Sequence, residues 1–412
     1  MASNPRCHKE LMALTEAGYR VGVLKFNIQN WSSSFEDEIE KAYPNVTWIN
    51  IENKSQNLLL WLHATIAHLL GNYALKLRIV STRLISYSID KRSYILHKKI
   101  KRIIKDYDVV IAHNPGAFWA VSNNAIAAGK KFAIDVEDYH PGEYKQKTAE
   151  DKMRKLMQAT LKNASYVSCA SPLIAAHTLQ DLPGIERKLS VVNNVFPLHL
   201  QPVFSPRSKV HTSALTLVWF SQYIGLDRGL DDVIEAMNLI HDFEVQLTLI
   251  GYADTTVAEA LQHKLHNNRH KILIRLPLPE KELMHEVARH DIGLALEKSP
   301  NLNRRLCLTN KLFTYLLCGN AIIASDTEAQ VQFMSAYKGI GDVYTSGDVA
   351  GLTDMLKSYY SNKSALNEKR MASYALASHE LNWDMEKKKW LALVNNTLFE
   401  KDTHHITTFS AV

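Results

Sequence analysis

The stretch LTLVWFSQYIGLDRGLDDVIEAM, residues 215–237, decides the fold class. Its first seven residues are mostly apolar, which is typical of a strand buried on both faces of a parallel sheet. A loop with two glycines follows, and then four apolar residues recur at the spacing of one helix face: Leu230, Val233, Ile234 and Met237. The order of strand, loop and helix predicts a Rossmann-like unit.

The same alternation of strand-like and helix-like runs continues along most of the chain. In the first half the predicted strands are Val21–Phe26, Val46–Ile51, Asp108–His113, Lys131–Val136, Tyr166–Ala170 and Leu189–Val192. In the second half they are Leu215–Ser221, Glu244–Ile250, Ile272–Arg275, Ile292–Leu296 and Ala321–Ala324. The pattern predicts an α/β protein with two Rossmann-like, doubly wound parallel-sheet domains that face a central cleft.

The break between the two halves lies near 193–213, where prolines replace helix and strand signals. We therefore predict an N-terminal domain over 1–195, a linker over 196–213 and a C-terminal domain over 214–375. A C-terminal helix and tail over 376–412 are expected to pack back across the junction.

The beginning of the chain departs from the usual order. A helix-like segment, Lys9–Gly18, precedes the strand Val21–Phe26, whereas a Rossmann domain opens with a strand and a glycine-containing turn. Either a first strand is missing from this sequence or the N-terminal domain is an atypical one.

Composition and motifs exclude several classes of protein. The four cysteines form no CxxC pair, so we expect reduced thiols, a cytoplasmic location and no zinc site. No signal peptide is recognisable in the first ten residues. The chain has no GxGxxG motif after a strand, no GxxxxGK[ST] and no GxSxG, which argues against dehydrogenases, P-loop enzymes and α/β-hydrolases.

Positive charge is concentrated in one region. Ten Lys and Arg residues lie between Lys76 and Lys105, against the single acid Asp90. The preceding apolar run, 57–70, is expected to be too short to cross a bilayer. We predict peripheral contact of residues 57–105 with an anionic membrane, although a solvated helix packed on its own domain explains the pattern equally well. Nucleic acid is not favoured, because no binding motif accompanies the charge.

The first candidate site lies in the second half, from Glu297 to Thr327. A polar loop follows a predicted strand and leads into a helix for which Asn310 is the predicted N-cap and Gly319 the C′ residue. A helix N-terminus at a strand end binds anions, and Lys311 in the first turn adds positive charge. A solvated basic surface loop is the alternative.

The loop after the strand at Trp219 is the second candidate. Gly225 permits close approach of a ligand to the backbone, and Arg228 can donate two parallel hydrogen bonds to a diphosphate. An ordinary connection with an exposed arginine is the alternative.

Two candidates lie in the first half. His113 follows a predicted strand, where a neutral imidazole accepts a proton or hydrogen-bonds a sugar hydroxyl. The next strand leads into an acidic loop whose side chains suit a hydroxyl-rich ligand: Asp135, Glu137, Asp138 and His140. Caps for the following helix are the structural alternative for these residues, and their spacing matches no closed metal site.

In this order, these stretches resemble the bacterial glycosyltransferases of the GT-B fold, close to the retaining family 4 group. The resemblance covers most of the chain. It rests on the opening NPRCHKELMALTEAGYRVGVL, the strand end DVVIAHNP, the acidic loop FAIDVEDYHPGEY, the segment LVWFSQYIGLDRGLDDVIEAM and the loops HDIGLALEKSPNLN and NKLFTYLLCGNAIIAS.

The resemblance implies transfer of a sugar from a nucleoside diphosphate to a glycan or polyprenyl-linked acceptor in cell-surface polysaccharide synthesis, with retention and without a metal or other cofactor. The resemblance implies catalytic roles for His113 and Arg228, and Lys311 is the third catalytic candidate because of its place in the first helical turn. The predicted donor-binding residues are Ser221, Gln222, Gly225, Glu297, Asn303, Asn310 and Thr314, of which Glu297 and Asn303 are expected to substitute for residues that the group has elsewhere. The predicted acceptor-binding residues are those of the acidic loop.

The chain departs from the group at two places. Leu306 and Thr314 stand where the group has two glutamates spaced eight apart, and Ser221 and Gln222 stand where a Gly-Arg pair is common. A non-catalytic GT-B protein that binds or presents nucleotide sugars is therefore the alternative. A sugar-nucleotide epimerase or a phosphorylase is a further one.

Overall fold

The computed structural model describes residues 4–27, 33–51, 53–54, 56–202 and 214–399. The chain divides into two compact units. Unit 1 comprises Met1–Val192 and Lys387–Val412, and unit 2 comprises Asn193–Glu386. Most of the predicted linker, 203–213, and the end of the predicted tail, 400–412, lie outside the described residues.

Unit 1 has helices on both sides of parallel strands. The helices are α1 (Pro5–Glu16), α2 (Ser33–Ala42), α3 (Leu58–Lys76), α4 (Thr82–Ile89), α5 (Arg92–Ile103), α6 (Pro115–Ala127), α7 (Lys147–Leu161) and α8 (Pro172–Asp181). The strands are β1 (Gly22–Phe26), β2 (Thr47–Ile51), β3 (Val109–His113), β4 (Lys131–Val136), β5 (Tyr166–Cys169) and β6 (Leu189–Val191).

The strands of unit 1 form two separate parallel sheets, β1-β2 and β3-β4-β5-β6. A cavity of about 940 Å³ lies where they would meet, lined by residues of both β1 and β3. In the strand order 3-2-1-4-5-6 of a Rossmann sheet, the first strand lies between the second and the fourth. The cavity occupies that place, and no strand precedes β1 in the described part of the chain.

The two strands beside the cavity are mostly half-buried. Every residue of β1 is half-buried, whereas β5 is buried throughout. Apolar side chains of three helices complete the cavity wall, among them Leu11, Ile100 and Leu398. Each of β1 and β3 therefore has one hydrogen-bonded edge and one open edge.

We predict that hydrogen exchange will reveal these open edges. Because successive amides of a parallel strand point to opposite neighbours, about half of the amides in β1 and β3 should exchange rapidly. The amides of β4, which has a partner on both sides, should be protected along the strand. Uniform protection along β1, measured by NMR or by mass spectrometry with overlapping peptides, would contradict the split sheet.

Unit 2 is a complete six-stranded sheet between two layers of helices. Its strands are β7 (Ala214–Tyr223), β8 (Glu244–Tyr252), β9 (Lys271–Arg275), β10 (Ile292–Ala295), β11 (Ala321–Ser325) and β12 (Gly341–Tyr344). Its helices are α9 (Leu230–Asn238), α10 (Thr255–Lys264), α11 (Glu280–Val287), α12 (Leu302–Leu306), α13 (Asn310–Cys318), α14 (Glu328–Ala336), α15 (Val349–Ser361), α16 (Lys363–His379) and the start of α17 (Trp383–Phe399).

The strands of unit 2 follow the order β9-β8-β7-β10-β11-β12, and all pairs are parallel. This is the order of a Rossmann sheet, so the predicted fold class is confirmed. All eleven predicted strands are present, and β12 was missed because its sequence, GDVY, offers only two apolar residues.

Three local predictions need correction or refinement. Asn310 is not the N-cap of α13, since Thr309 holds the cap position and Asn310 is the first helical residue. Gly319 does end that helix in the left-handed conformation, with φ of 68°. The predicted C-terminal helix is two helices, α16 and α17, and the division between the two units falls within α17.

The helix α3 also differs from expectation. It extends over 19 residues, beyond the apolar run 57–70, and by length and composition alone it could cross a membrane. The prediction that the apolar segment beginning at residue 57 is too short to cross a bilayer is therefore wrong on length.

Candidate functional site

The topological switch point of unit 2 lies between β7 and β10, which are neighbours in the sheet although two strands separate them in sequence. At such a point the connections leave the carboxyl ends of the strands in opposite directions and open a crevice. The segment from Ile224 to Gly229 follows β7, and the segment from Leu296 to Thr309 follows β10. The predicted donor residues of unit 2 all belong to these two connections or to the elements that flank them.

Gly229 brings the two connections together. It begins α9 in the left-handed conformation, with φ of 78°. A Cβ atom here would lie 2.9 Å from the Leu296 carbonyl oxygen, so only glycine fits this close approach. The sequence showed a glycine in this loop, but not which backbone it would meet.

Lys311 and Glu297 form the best-defined ion pair of this crevice. Lys311 Nζ lies 2.6 Å from Glu297 Oε1, and both side chains are nearly buried. The ammonium also lies 5.3 Å from the centre of the Trp219 ring, which adds a cation–π contact. Burial alone would raise the pKa of Glu297, but Lys311 lowers it, so the carboxylate stays ionised.

Two arginines add positive charge near the same carboxylate. Arg304 and Arg228 also lower the pKa of Glu297, which places both guanidinium groups within electrostatic range of it. Arg228 is 36% exposed, and its contact with the exposed Asp227, at 3.7 Å, is a weak one. Lys311 thus contacts the carboxylate, two arginines add positive charge at longer range, and the crevice is suited to an anion.

The remaining donor candidates divide into accessible and enclosed ones. Ser221 and Gln222 lie in an irregularity of β7 between Phe220 and Tyr223, and Gly225 follows it. Asn310 accepts a hydrogen bond from Asn194 at 3.0 Å, within the same unit.

Asn303 and Thr314 are 7% and 1% exposed, so direct contact with a donor is not open to them in this structure. The Asn303 carboxamide instead accepts a hydrogen bond from the Cys307 thiol. The predicted donor contacts of these two residues need correction on this point.

In unit 1 the candidate residues gather around a buried ion pair. Arg6, in the first turn of α1, donates to Asp135 Oδ1 of β4 at 2.7 Å and to the Val192 carbonyl oxygen at 2.6 Å. Neither side chain of the pair is more than 1% exposed. Burial alone would raise the pKa of Asp135, but Arg6 and His113 hold it below its ordinary range.

His113, the last residue of β3, lies beside this pair. Its Nε2 is 3.2 Å from Glu10, and its Nδ1 is 3.1 Å from Glu137 and 3.4 Å from Asp135. Burial alone would lower the pKa of His113, but the surrounding acids raise it well above its ordinary value. Burial raises the pKa of both the nearby Cys7 thiol and the Glu10 carboxyl, so Asp135, whose pKa is lowered, is the most secure source of negative charge. A neutral, proton-accepting His113 was expected; the structure favours the protonated imidazole, a hydrogen-bond donor.

Asn114, the residue after His113, has an unfavourable backbone conformation. Asn114 has φ of 68° and ψ of 146°, a combination that few residues other than glycine adopt. The following Pro115 favours this ψ and starts α6. The chain therefore turns sharply at the strand end, and the imidazole stays at the edge of the cavity.

Two of the four candidate residues in the acidic loop line the cavity, and the other two do not. Asp138 and His140 line the cavity, and the buried Nε2 of His140 has no hydrogen-bond partner among the described residues. Asp135 is fully buried, so its predicted contact with an acceptor is not available in this structure; its contacts are with Arg6, His113 and Ser168. Glu137 accepts a hydrogen bond from Asn4 at 2.7 Å.

The part played by α1 was not predicted. Arg6 and Glu10 are one helical turn apart, but Arg6 lies before the predicted helix Lys9–Gly18, and neither residue was a site candidate. Their burial beside β3 and β4 is a long-range contact that no local pattern reports. Cys7, His113 and Glu137 also offer atoms close enough for a metal ion, as do Glu10, His113 and Asp135. His113 belongs to both groups. The absence of a cofactor stays a prediction.

We predict that Arg6→Gln destabilises unit 1 by about 3–5 kcal/mol, because it leaves Asp135 buried without its countercharge. Exchange of the β4 and β5 amides, which reports on unit 1 alone, measures the effect. The control is Lys147→Gln, which removes an exposed cation near Glu150 and Asp151 and should cost less than about 1 kcal/mol. Equal losses of stability from the two substitutions would show that the buried ion pair stabilises unit 1 no more than an exposed one.

The stability of unit 1 should fall as pH rises above neutrality. The folded state binds the His113 proton more tightly than the unfolded state, because the pKa is raised on folding. This contribution is complete below the unfolded pKa of about 6.5 and is lost as pH rises through the folded value. His113→Gln should flatten the decline in urea midpoint, whereas His63→Gln, at an exposed histidine of the same unit, should leave it unchanged.

Comparison with known proteins identifies the fold. No protein-family model and no curated protein sequence matches the chain. Among solved structures, HepE from Anabaena in complex with UDP is similar at a TM-score of 0.69 and 15% identity, over 95% of this chain and 97% of that one. A glycosyltransferase from Rickettsia africae has a TM-score of 0.67 and 13% identity, over 97% and 96% of the two chains.

Sucrose-phosphate synthase from Thermosynechococcus elongatus has a TM-score of 0.62 and 13% identity, over 95% and 92% of the two chains. At such identities the likeness shows the fold alone. The protein has the GT-B fold of two Rossmann-like domains.

Proposed function

We propose that the protein is a glycosyltransferase that uses a nucleotide sugar as donor. The observation that carries this proposal is the convergence of Arg228, Lys311 and Arg304 at the switch point of the unit 2 sheet, next to the buried Glu297. A nucleoside diphosphate is the kind of anion that such a crevice binds. The UDP and UDP-glucose named in the HepE structures support this choice and make UDP-glucose the first donor to test.

In the proposed reaction the bond between the anomeric carbon and the diphosphate oxygen breaks, and an acceptor hydroxyl forms the new bond. Negative charge develops on the departing diphosphate, so fixed cations that contact it stabilise the transition state more than the ground state. Arg228 is partly exposed and only weakly paired with Asp227, and it is assigned this role. Lys311, held by Glu297 and Trp219, supplies a second positive charge.

The cavity of unit 1 is assigned to the acceptor. Asp138 and His140 on its wall, with the His113 imidazole at its edge, offer hydrogen bonds to sugar hydroxyls. A protonated His113 donates rather than accepts, so the acceptor proton is assigned to a diphosphate oxygen. Transfer with retention, a glycan or polyprenyl-linked acceptor, and cell-surface polysaccharide synthesis at the inner face of the plasma membrane are parts of this proposal that rest on the family resemblance, as is the absence of a metal requirement.

A non-catalytic protein that binds nucleotide sugars is the second candidate. The observation that favours it is the apolar or enclosed character of the two positions where glutamates are expected. Leu306 has no exposed surface and Thr314 has 1%, so neither can replace a carboxylate that holds the donor.

The decisive experiment is donor turnover. The purified protein is incubated with UDP-glucose and other nucleotide sugars, with and without a bacterial membrane extract, and release of nucleoside diphosphate is followed. Release that requires the extract is expected for the wild type. Arg228→Ala should lower it roughly 10²- to 10³-fold, the loss typical of removing one charge-stabilising group.

The matched control is Arg289→Ala, which removes an exposed arginine of the same unit that pairs with Glu286 on α11. It should leave turnover unchanged. Binding of a nucleotide sugar without release of nucleoside diphosphate from any of them would favour the non-catalytic protein over the transferase. Conversion of the donor without any acceptor would indicate an epimerase.

A further inference from the structure

The helix α3 presents an apolar face to solvent. Eight large side chains, each between 44% and 70% exposed, lie within one third of the helix circumference: Leu58, Leu59, Leu62, Ile66, Leu69, Leu70, Tyr73 and Leu77. Ile79 and Val80 continue the surface beyond the helix end. Contiguous apolar surfaces of this extent are rare on monomeric proteins and mark an interaction site.

The opposite face of α3 is committed to its own unit. Gly71 allows α4 to approach so closely that a Cβ atom would lie 2.9 Å from the Leu84 carbonyl oxygen. His68 Nδ1 contacts the Tyr87 carbonyl oxygen at 2.8 Å, and Ala64 is fully buried. A membrane-spanning position would require α3 to give up these contacts, so the exposed face must be covered while α3 remains packed on α4.

Positive charge borders the apolar face at both ends. Exposed Lys54 precedes the helix, and Lys91 Nζ lies 5.5 Å from the centre of the Trp61 ring near its start. Exposed Lys76 and Arg78 stand at the other end, about 28 Å along the axis. No charged residue lies between Lys54 and Lys76.

This charge pattern discriminates between the possible occupants. A second copy packed through α3 about a two-fold axis would bring the same cationic ends together, which is unfavourable. The anionic headgroups of a bilayer leaflet supply the missing countercharge, and the acyl region accepts the leucines. We infer that α3 lies in the plane of an anionic membrane surface, with its leucine face inserted and its basic ends at headgroup level.

This inference goes beyond the proposed transfer reaction and does not depend on it. Flotation of the full chain with vesicles of phosphatidylcholine, alone or mixed with phosphatidylglycerol, tests it. The wild type should bind both, and the mixed vesicles more tightly. The double variant Leu62→Gln, Leu69→Gln should lower the partition coefficient about tenfold or more on both kinds of vesicle.

Two matched variants separate insertion from general effects. Leu239→Gln with Leu276→Gln changes two exposed leucines of unit 2, which are 51% and 71% exposed, and should not alter binding. Lys76→Gln with Lys91→Gln should weaken binding to the mixed vesicles about tenfold and leave binding to phosphatidylcholine nearly unchanged. Because all these positions are exposed, circular dichroism and melting curves should match those of the wild type.

Three results would overturn the inference. One is equal binding of the α3 double variant and the unit 2 double variant. The second is retention of the wild type on vesicles after alkaline carbonate washing, which would indicate a spanning helix. The third is absence of vesicle binding together with a dimer in sedimentation that Leu62→Gln, Leu69→Gln abolishes, which would assign the face to a second copy of the chain.

Discussion

The buried ion pair between Arg6 and Asp135 is the interaction on which unit 1 depends. The sheet of this unit is split, so no backbone hydrogen bonds of the described chain join β1 to β3. Arg6 instead connects α1 to β4 and to Val192, the residue that follows β6. The helix α1 in turn leads into β1. An arginine with a fixed, planar set of donors suits this task, because two bonds to one carboxylate and a third to a carbonyl define its position.

The same pair sets the chemistry of the strand ends. Asp135, kept ionised by Arg6, joins Glu10 in raising the pKa of His113 above its ordinary value. A single buried contact thus determines both how α1 is held and which protonation state the cavity presents. In unit 2 the corresponding constraint is steric, because Gly229 lets the two switch-point connections approach each other closely next to Glu297.

The fold could be read from the sequence because buried parallel strands are continuous apolar runs and their alternation with helices leaves few topologies. The positions of Arg228, Lys311 and His113 followed from the same reasoning, since His113 ends a strand and the other two lie in or just after connections that follow strands. The role of Arg6 and the burial of Thr314 could not, because both depend on contacts between residues far apart in sequence. The exposure of α3 was equally hidden, since an apolar helix in a sequence is indistinguishable from a core helix.

The ion pair between Lys311 and Glu297 limits how the unit 2 crevice can bind an anion. A diphosphate that approaches Lys311 meets a carboxylate already at 2.6 Å and kept ionised by the same lysine. Direct contact with Lys311 therefore requires Glu297 to share its partner, whereas Arg228, 36% exposed and weakly paired, can turn to the ligand without such a cost. The physical division of labour is then a fixed cation that sets the local potential and a more exposed one that is free to contact an anion.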